Sequence, residues 1–210
     1  MDTTVLGDLR SPHTDIPTRR ALACIALASP IYGLAMGSFD LSGARVLYPL
    51  FSAIKMPLMV LGTSAVCLPG FFVLSTVLGL RDDVRAAIRA ILCSQAAFAV
   101  MLAACAPLTG FAYTSGVGHR GAILASGAMF GLCTLGAQGV LLQRYAVLIA
   151  KSRRHLSMLA YWLVAYMFVG IQMGWMLRPF VGRPGAAPTF FRAEPFSNAY
   201  VVVWRLLFGE

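Results

Sequence analysis

The sequence predicts an all-α protein, a polytopic membrane bundle of five transmembrane helices with a kinked second helix and an irregular C-terminal tail. Three observations predict it. Apolar blocks over 21–39, 57–80, 90–113, 121–142 and 157–177 each come close to the roughly 20 residues that a helix needs to cross a bilayer core. No Asp or Glu falls inside any of them. The hydrophobic fraction is 59% and mean hydropathy is +0.76, against about 45–50% apolar content in ordinary soluble domains. A soluble core of this size would leave much of that surface in water, whereas lipid covers it. The chain divides into a polar tail over 1–20, a transmembrane domain over 21–178, and a Pro-rich strap with a short apolar segment over 179–210.

The tail carries Asp2, Asp8, Asp15 and then Arg19-Arg20. Thr18-Arg19-Arg20-Ala21-Leu22 is a faint twin-arginine pattern, but such signals precede soluble cargo. More membrane helix follows here, so the segment reads as a short cytoplasmic tail before an uncleaved first helix. The first block holds Pro30, which removes a helix donor at mid-depth, and Gly33-x-x-x-Gly37, which admits a close neighbour. Residues 38–56 read as a mixed connector with Asp40, Arg45 and Lys55, its apolar stretch 46–54 lying in the interface.

The second block opens at Met56-Pro57, a favourable first-turn place for proline. Pro69-Gly70 near its middle predicts a kink or local unwinding. Irregular backbone at that depth has to be covered by protein, which predicts a central helix. Arg81 to Arg85 form a short charged connector. The third block is rich in Ala, with Gln95 and Pro107, and residues 109–120 read as a polar loop. The fourth holds Gly127-x-x-x-Gly131, Gly136, Gln138 and Gly139, and its helix is expected to continue through Arg144 to Lys151. The fifth holds Gly170-x-x-x-Gly174, with Tyr161, Trp162 and Trp175 as interface anchors. Arg178-Pro179 ends it. Pro179, Pro184, Pro188 and Pro195 predict an extended strap over 179–198, and 199–208 is too apolar to hang in water and is expected to fold back.

The charged and polar residues exclude more chemistry than they suggest. A formal charge of +9, from 17 Lys and Arg against 8 Asp and Glu, is the mark of juxtamembrane loops facing anionic lipid. Nucleic-acid binding needs a solvated basic face with stacking aromatics, and the aromatics here lie in the apolar blocks. Cys24, Cys67, Cys93, Cys105 and Cys133 form no CxxC and have no His at ligand spacing, so they read as reduced side chains filling helix interfaces, with no metal or cofactor implied. His13, His119 and His155 lie outside the blocks, which disfavours a proton pump. Gly62-Thr63-Ser64 offers a serine, but no block supplies the histidine that an intramembrane protease requires. Gln95, Gln138 and Gln172 either line a solute path beside Pro69-Gly70 or, more economically, bond to neighbouring helices. Within Trp175-Met176-Leu177-Arg178-Pro179-Phe180-Val181-Gly182, Arg178 with Trp175 and Gln172 either grips a lipid phosphate or partner carboxylate, or simply snorkels at a helix stop.

A hydrophilic tail, five closely spaced spans and a short far end resemble the Yip1-type five-helix membrane proteins over residues 21–178. Lys55-x-Pro57, Cys67-Leu68-Pro69, Leu78-Gly79 and the run from Trp175 to Gly182 are similar to uncharacterised bacterial multi-pass proteins that end in W-x-L-R-P-F-x-G. The Yip1-type resemblance implies partner binding and the shaping of membrane traffic, without catalysis, and carries no functional residue across. The expectation is a non-enzymatic integral membrane protein that binds lipids and a protein partner or a second copy of itself. The alternative is a small-solute or lipid transporter or channel subunit. The six glycines of the three Gly-x-x-x-Gly pairs are the expected helix-packing positions.

Orientation follows from the cations. With the N-terminus inside, ten Lys and Arg fall on inner segments and three on outer loops, or seven when the C-terminal segment is included. A bacterial inner membrane with a cytoplasmic N-terminus is the expected setting. Single cysteines at positions 5, 83, 117 and 152 are then expected to label from the cytoplasm at 5, 83 and 152, and from outside at 117. Labelling of 117 from the cytoplasm alone reverses the orientation.

Overall fold

A computed structural model of the chain describes residues 16–39, 46–182 and 189–191. Helix α1 spans Thr18–Gly37, α2 Leu47–Val77, α3 Val84–Thr114, α4 His119–Lys151 and α5 Arg154–Met176, with a 3-10 turn over Arg81–Asp83. These five helices are long and apolar enough to cross a membrane. The polar tail over 1–15, Asp40, Arg45, the prolines at 184, 188 and 195, and the segment 199–208 lie outside the described residues.

The helices are longer than the apolar blocks, as the membrane reading of the sequence requires. A helix in hydrocarbon satisfies its own backbone, while each residue left irregular leaves a donor and an acceptor without water. α2 therefore starts at Leu47, and the expected interfacial stretch 46–54 forms its first turns. Pro57 is inside α2 instead of in its first turn, and Pro69 is inside it as well. Of the kink or local unwinding expected at Pro69-Gly70, the unwinding does not occur, because helix is unbroken through both residues, with Pro69 inside it. One proline removes one donor, whereas unwinding frees several groups at once. Pro69 is exposed, and Gly70 turns inward, where an added Cβ would lie on the Tyr161 hydroxyl. The expected loop over 109–120 shrinks to 115–118, since α3 runs to Thr114. α4 does continue through Arg144 to Lys151.

The α2–α3 turn is closed by backbone chemistry. Leu80 N–H donates to Ser75 O at 2.8 Å and Gly79 N–H to Thr76 O at 3.1 Å. Gly79 has φ +70°, the left-handed value that this helix ending needs and that a side chain opposes.

α1 packs between α2 and α3, α3 also packs on α4, and α2 also packs on α5, while α4 and α5 touch little. Two apolar clusters result. One joins Ile25 and Tyr32 of α1, Met56 and Val60 of α2, Ala96 and Leu102 of α3, and Cys133 and Ala137 of α4. The other joins Cys67 and Phe71 of α2 to Ile91, Leu141, Tyr145, Met158 and Trp162. Trp162 is fully buried, edge-on to Phe71 with centroids 5.7 Å apart and stacked on Tyr166 at 5.5 Å, so it is a core residue and not the interface anchor expected.

The α1–α2 crossing depends on Gly33 and Gly37. A Cβ on Gly33 would sit 2.3 Å from Ser52 O and 2.7 Å from Ala53 Cα, and one on Gly37 would sit 2.5 Å from Pro49 Cα. Backbone cannot move aside as a side chain does, so any Cβ here separates the two helices. Gly33→Leu is expected to cost at least the 1–3 kcal/mol typical of overpacking and to lower the melting temperature in detergent. Gly127→Leu, with no atom within 4 Å of its Cβ position, is expected to stay within about 0.5 kcal/mol of the parent. Equal melting temperatures for the two variants contradict this packing.

Candidate functional site

The chain that leaves α5 turns back onto the first half of α2 and is fastened there by its carbonyls. Leu177, Val181 and Gly182 are buried. Lys55, on the inner face of α2 and fully buried, donates from Nζ to Pro179 O at 2.8 Å. Ser52, one turn earlier, donates from Oγ to Phe180 O at 2.6 Å. The Lys55 ammonium also lies 5.9 Å from the Phe180 ring centroid and 5.1 Å from that of Phe190, within the range of cation–π attraction. Tyr48, one turn before Ser52, is buried against Gly182, where a Cβ would approach its ring to 2.9 Å. Tyr48, Ser52 and Lys55 thus form one stripe of α2 at helical spacing, and the stripe holds the strap from 179 to 182.

The local sequence makes this arrangement. Proline cannot continue a helix into 179, so the carbonyls of 179 and 180 lose helical partners. A buried carbonyl without a donor costs about 1–3 kcal/mol. Lys55 and Ser52 supply those donors from a helix more than 120 residues away in sequence. Lys55 gains a carbonyl dipole and two ring faces in place of water.

Arg178 is exposed, with its guanidinium 4.3 Å from the Trp175 ring centroid, and Trp175 is buried. Gln172 is half-buried one turn earlier. Gly174 and Gly170 meet α2 at ordinary contact, with Cβ positions 3.9 Å from Met59 Sδ and 3.7 Å from Thr63 Cγ2. Gly127 and Gly131 meet no atom within 4 Å. Gln95 accepts from the Tyr166 hydroxyl at 2.8 Å, which ties α3 to α5. Gln138 keeps a buried Oε1 without a hydrogen-bond partner, so it does not make the cross-helix bond expected of it.

At the opposite end, Asp83 pairs with Lys151 and lies 3.3 Å from His155 Nε2, while Arg154 donates to Leu78 O at 3.1 Å. This cluster joins the α2–α3 turn to the α4–α5 turn. A cleft of about 380 Å³ at the same end is lined by Pro17, Thr18, Arg85, Ile88 and Arg89. Among the described residues no group of three His, Cys, Asp or Glu side chains is placed to hold a metal.

Lys55 and Ser52 are the site residues that sequence reasoning passed over. Lys55 looked like a connector charge. The signal that marks it is its place seven residues after Tyr48 and three after Ser52, one face of a helix, within a segment apolar enough to continue into the next block.

No protein-family model matches the chain, and no curated protein or solved structure matches it either.

Lys55→Met keeps the stem's volume and removes the donor. The Pro179 carbonyl then stays buried and unsatisfied, so the strap is expected to lift at a cost of about 1–3 kcal/mol. With a cysteine at Val181, water-soluble maleimide is expected to react several-fold faster in the Lys55→Met background than with Lys55 present. Equal rates mean that the clasp does not hold the strap.

Proposed function

We propose that the protein is a non-enzymatic integral membrane protein that binds a partner through a membrane-spanning helix. The Gly127-x-x-x-Gly131 face of α4 carries this reading. Helices in hydrocarbon gain nothing from burying apolar surface against each other, so small residues that allow close approach decide where they associate. The chain uses this device three times. Gly33 and Gly37 are closed by α2, and Gly170 and Gly174 face α2 at van der Waals distance. Only the pair on α4 faces open space, flanked by exposed Leu124, Leu132 and Leu135. The occupant that fits is a transmembrane helix of a partner protein, which would approach Gly127 and Gly131 as α2 approaches Gly33 and Gly37.

Other observations support binding over transport. The helix is unbroken at Pro69-Gly70, so no backbone is opened there, and Gln95 is engaged by Tyr166, so neither feature favours a solute path. The Yip1-type resemblance points the same way. A multi-pass position in a bacterial inner membrane with a cytoplasmic N-terminus belongs to this reading and rests on the distribution of Lys and Arg.

A photo-crosslinking residue at 127, with a control at Leu108 on the exposed face of α3, tests it in intact membranes. We expect one discrete protein adduct at 127, its loss in Gly131→Ile, and only lipid adducts at 108. An adduct of twice the chain's mass makes the occupant a second copy. Lipid adducts alone at both positions refute partner binding at this face.

A further inference from the structure

We propose that Cys105 and Cys133 form a two-electron redox pair that a lipid-soluble quinone oxidises to a disulfide joining α3 to α4. The two Sγ atoms are 3.8 Å apart across the α3–α4 interface, and both are free thiols. The helices are held in register on either side of them. One turn toward one end of the pair, Thr109 Oγ1 lies 3.2 Å from Met129 Sδ. One turn toward the other end, a Cβ on Gly136 would meet Met101 Sδ at 2.9 Å, and the rings of Phe98 and Phe130 also meet across the interface, edge-on with centroids 4.9 Å apart. The thiols are thus paired by the packing of two long helices. A disulfide bond of about 2 Å needs the sulfurs to close the rest of the 3.8 Å gap.

The class of oxidant follows from location. Cys105 and Cys133 each lie more than two turns from the nearer end of a candidate membrane span. Both also fall within apolar segments, 90–113 and 121–142, surroundings into which hydrophobic oxidants partition and charged aqueous ones do not. Cys105 is half-buried and Cys133 is buried, so the pair has one accessible member and one shielded member. An acceptor that takes a proton with each electron suits such a site. Each thiol loses its hydrogen, two S–H bonds break, and one Sγ–Sγ bond forms. The two electrons and two protons pass to the quinone, which leaves as the quinol, so no net charge remains in the bundle. Cys133 lies on α4 close to Gly131, so oxidation would fix the helix whose other face is open.

The test uses the full chain in liposomes without oxygen, treated with a decyl-substituted benzoquinone or with ferricyanide, which stays in water. With the quinone we expect titratable thiols to fall by two of the five, one quinol to form per chain, and peptide mapping to find Cys105 joined to Cys133. Ferricyanide is expected to leave this pair reduced. Cys24→Ser is expected to keep the cross-link, and Cys105→Ser and Cys133→Ser are expected to lose it. An unchanged thiol count in the folded parent protein, or a disulfide mapped to other cysteines, overturns the proposal. The parent measurement decides the matter even if a serine variant fails to fold.

Discussion

Five helices long and apolar enough to cross a membrane set one constraint above the others: in hydrocarbon, backbone amides and carbonyls have no water to bond. An unsatisfied group there costs several kcal/mol, more than most side-chain preferences supply. Pro30, Pro57, Pro69 and Pro107 all sit inside helices that continue past them. In water each would be a plausible helix end. Here stopping is worse than continuing, because a stop exposes a whole turn of polar backbone.

The same constraint explains the contacts between distant segments. Helix α2 ends at Val77 with carbonyls of its last turn bonded to Gly79 and Leu80 N–H, and Arg154 donates to Leu78 O. The strap after α5 has no helical partners for the carbonyls of Pro179 and Phe180, and Lys55 and Ser52 provide them. A buried lysine that holds a carbonyl and faces two rings is then a structural necessity of folding the strap inward. Glycine governs the remaining geometry. Gly33 and Gly37 let α1 lie against the α2 backbone, and this contact places Tyr48, Ser52 and Lys55 where the strap arrives.

The helical class, the five long apolar helices and the reach of α4 to Lys151 were legible in the sequence, because long apolar stretches without acids favour long apolar helices. Boundaries were less legible. Pro57 and the polar glycine-rich stretch from 109 signal an end by rules calibrated in water, and α2 and α3 continue through both. Facing was hardly legible. These helices are apolar on all sides, so periodicity does not separate Trp162 in the core from a tryptophan at the interface. It also does not separate Gly33, pressed on a helix, from Gly127, open on one side. Lys55 was missed because its partner is a backbone carbonyl, which leaves no residue-type signature.

Amide hydrogen exchange of the full chain in lipid nanodiscs, resolved along Leu47–Val77, tests most directly whether backbone satisfaction overrides proline. The structure predicts slow, continuous exchange through 66–73, with protection as strong around Pro69-Gly70 as in the neighbouring turns of α2. A fast-exchanging segment centred on 69–72, flanked by two protected halves, would show a broken helix and contradict the account.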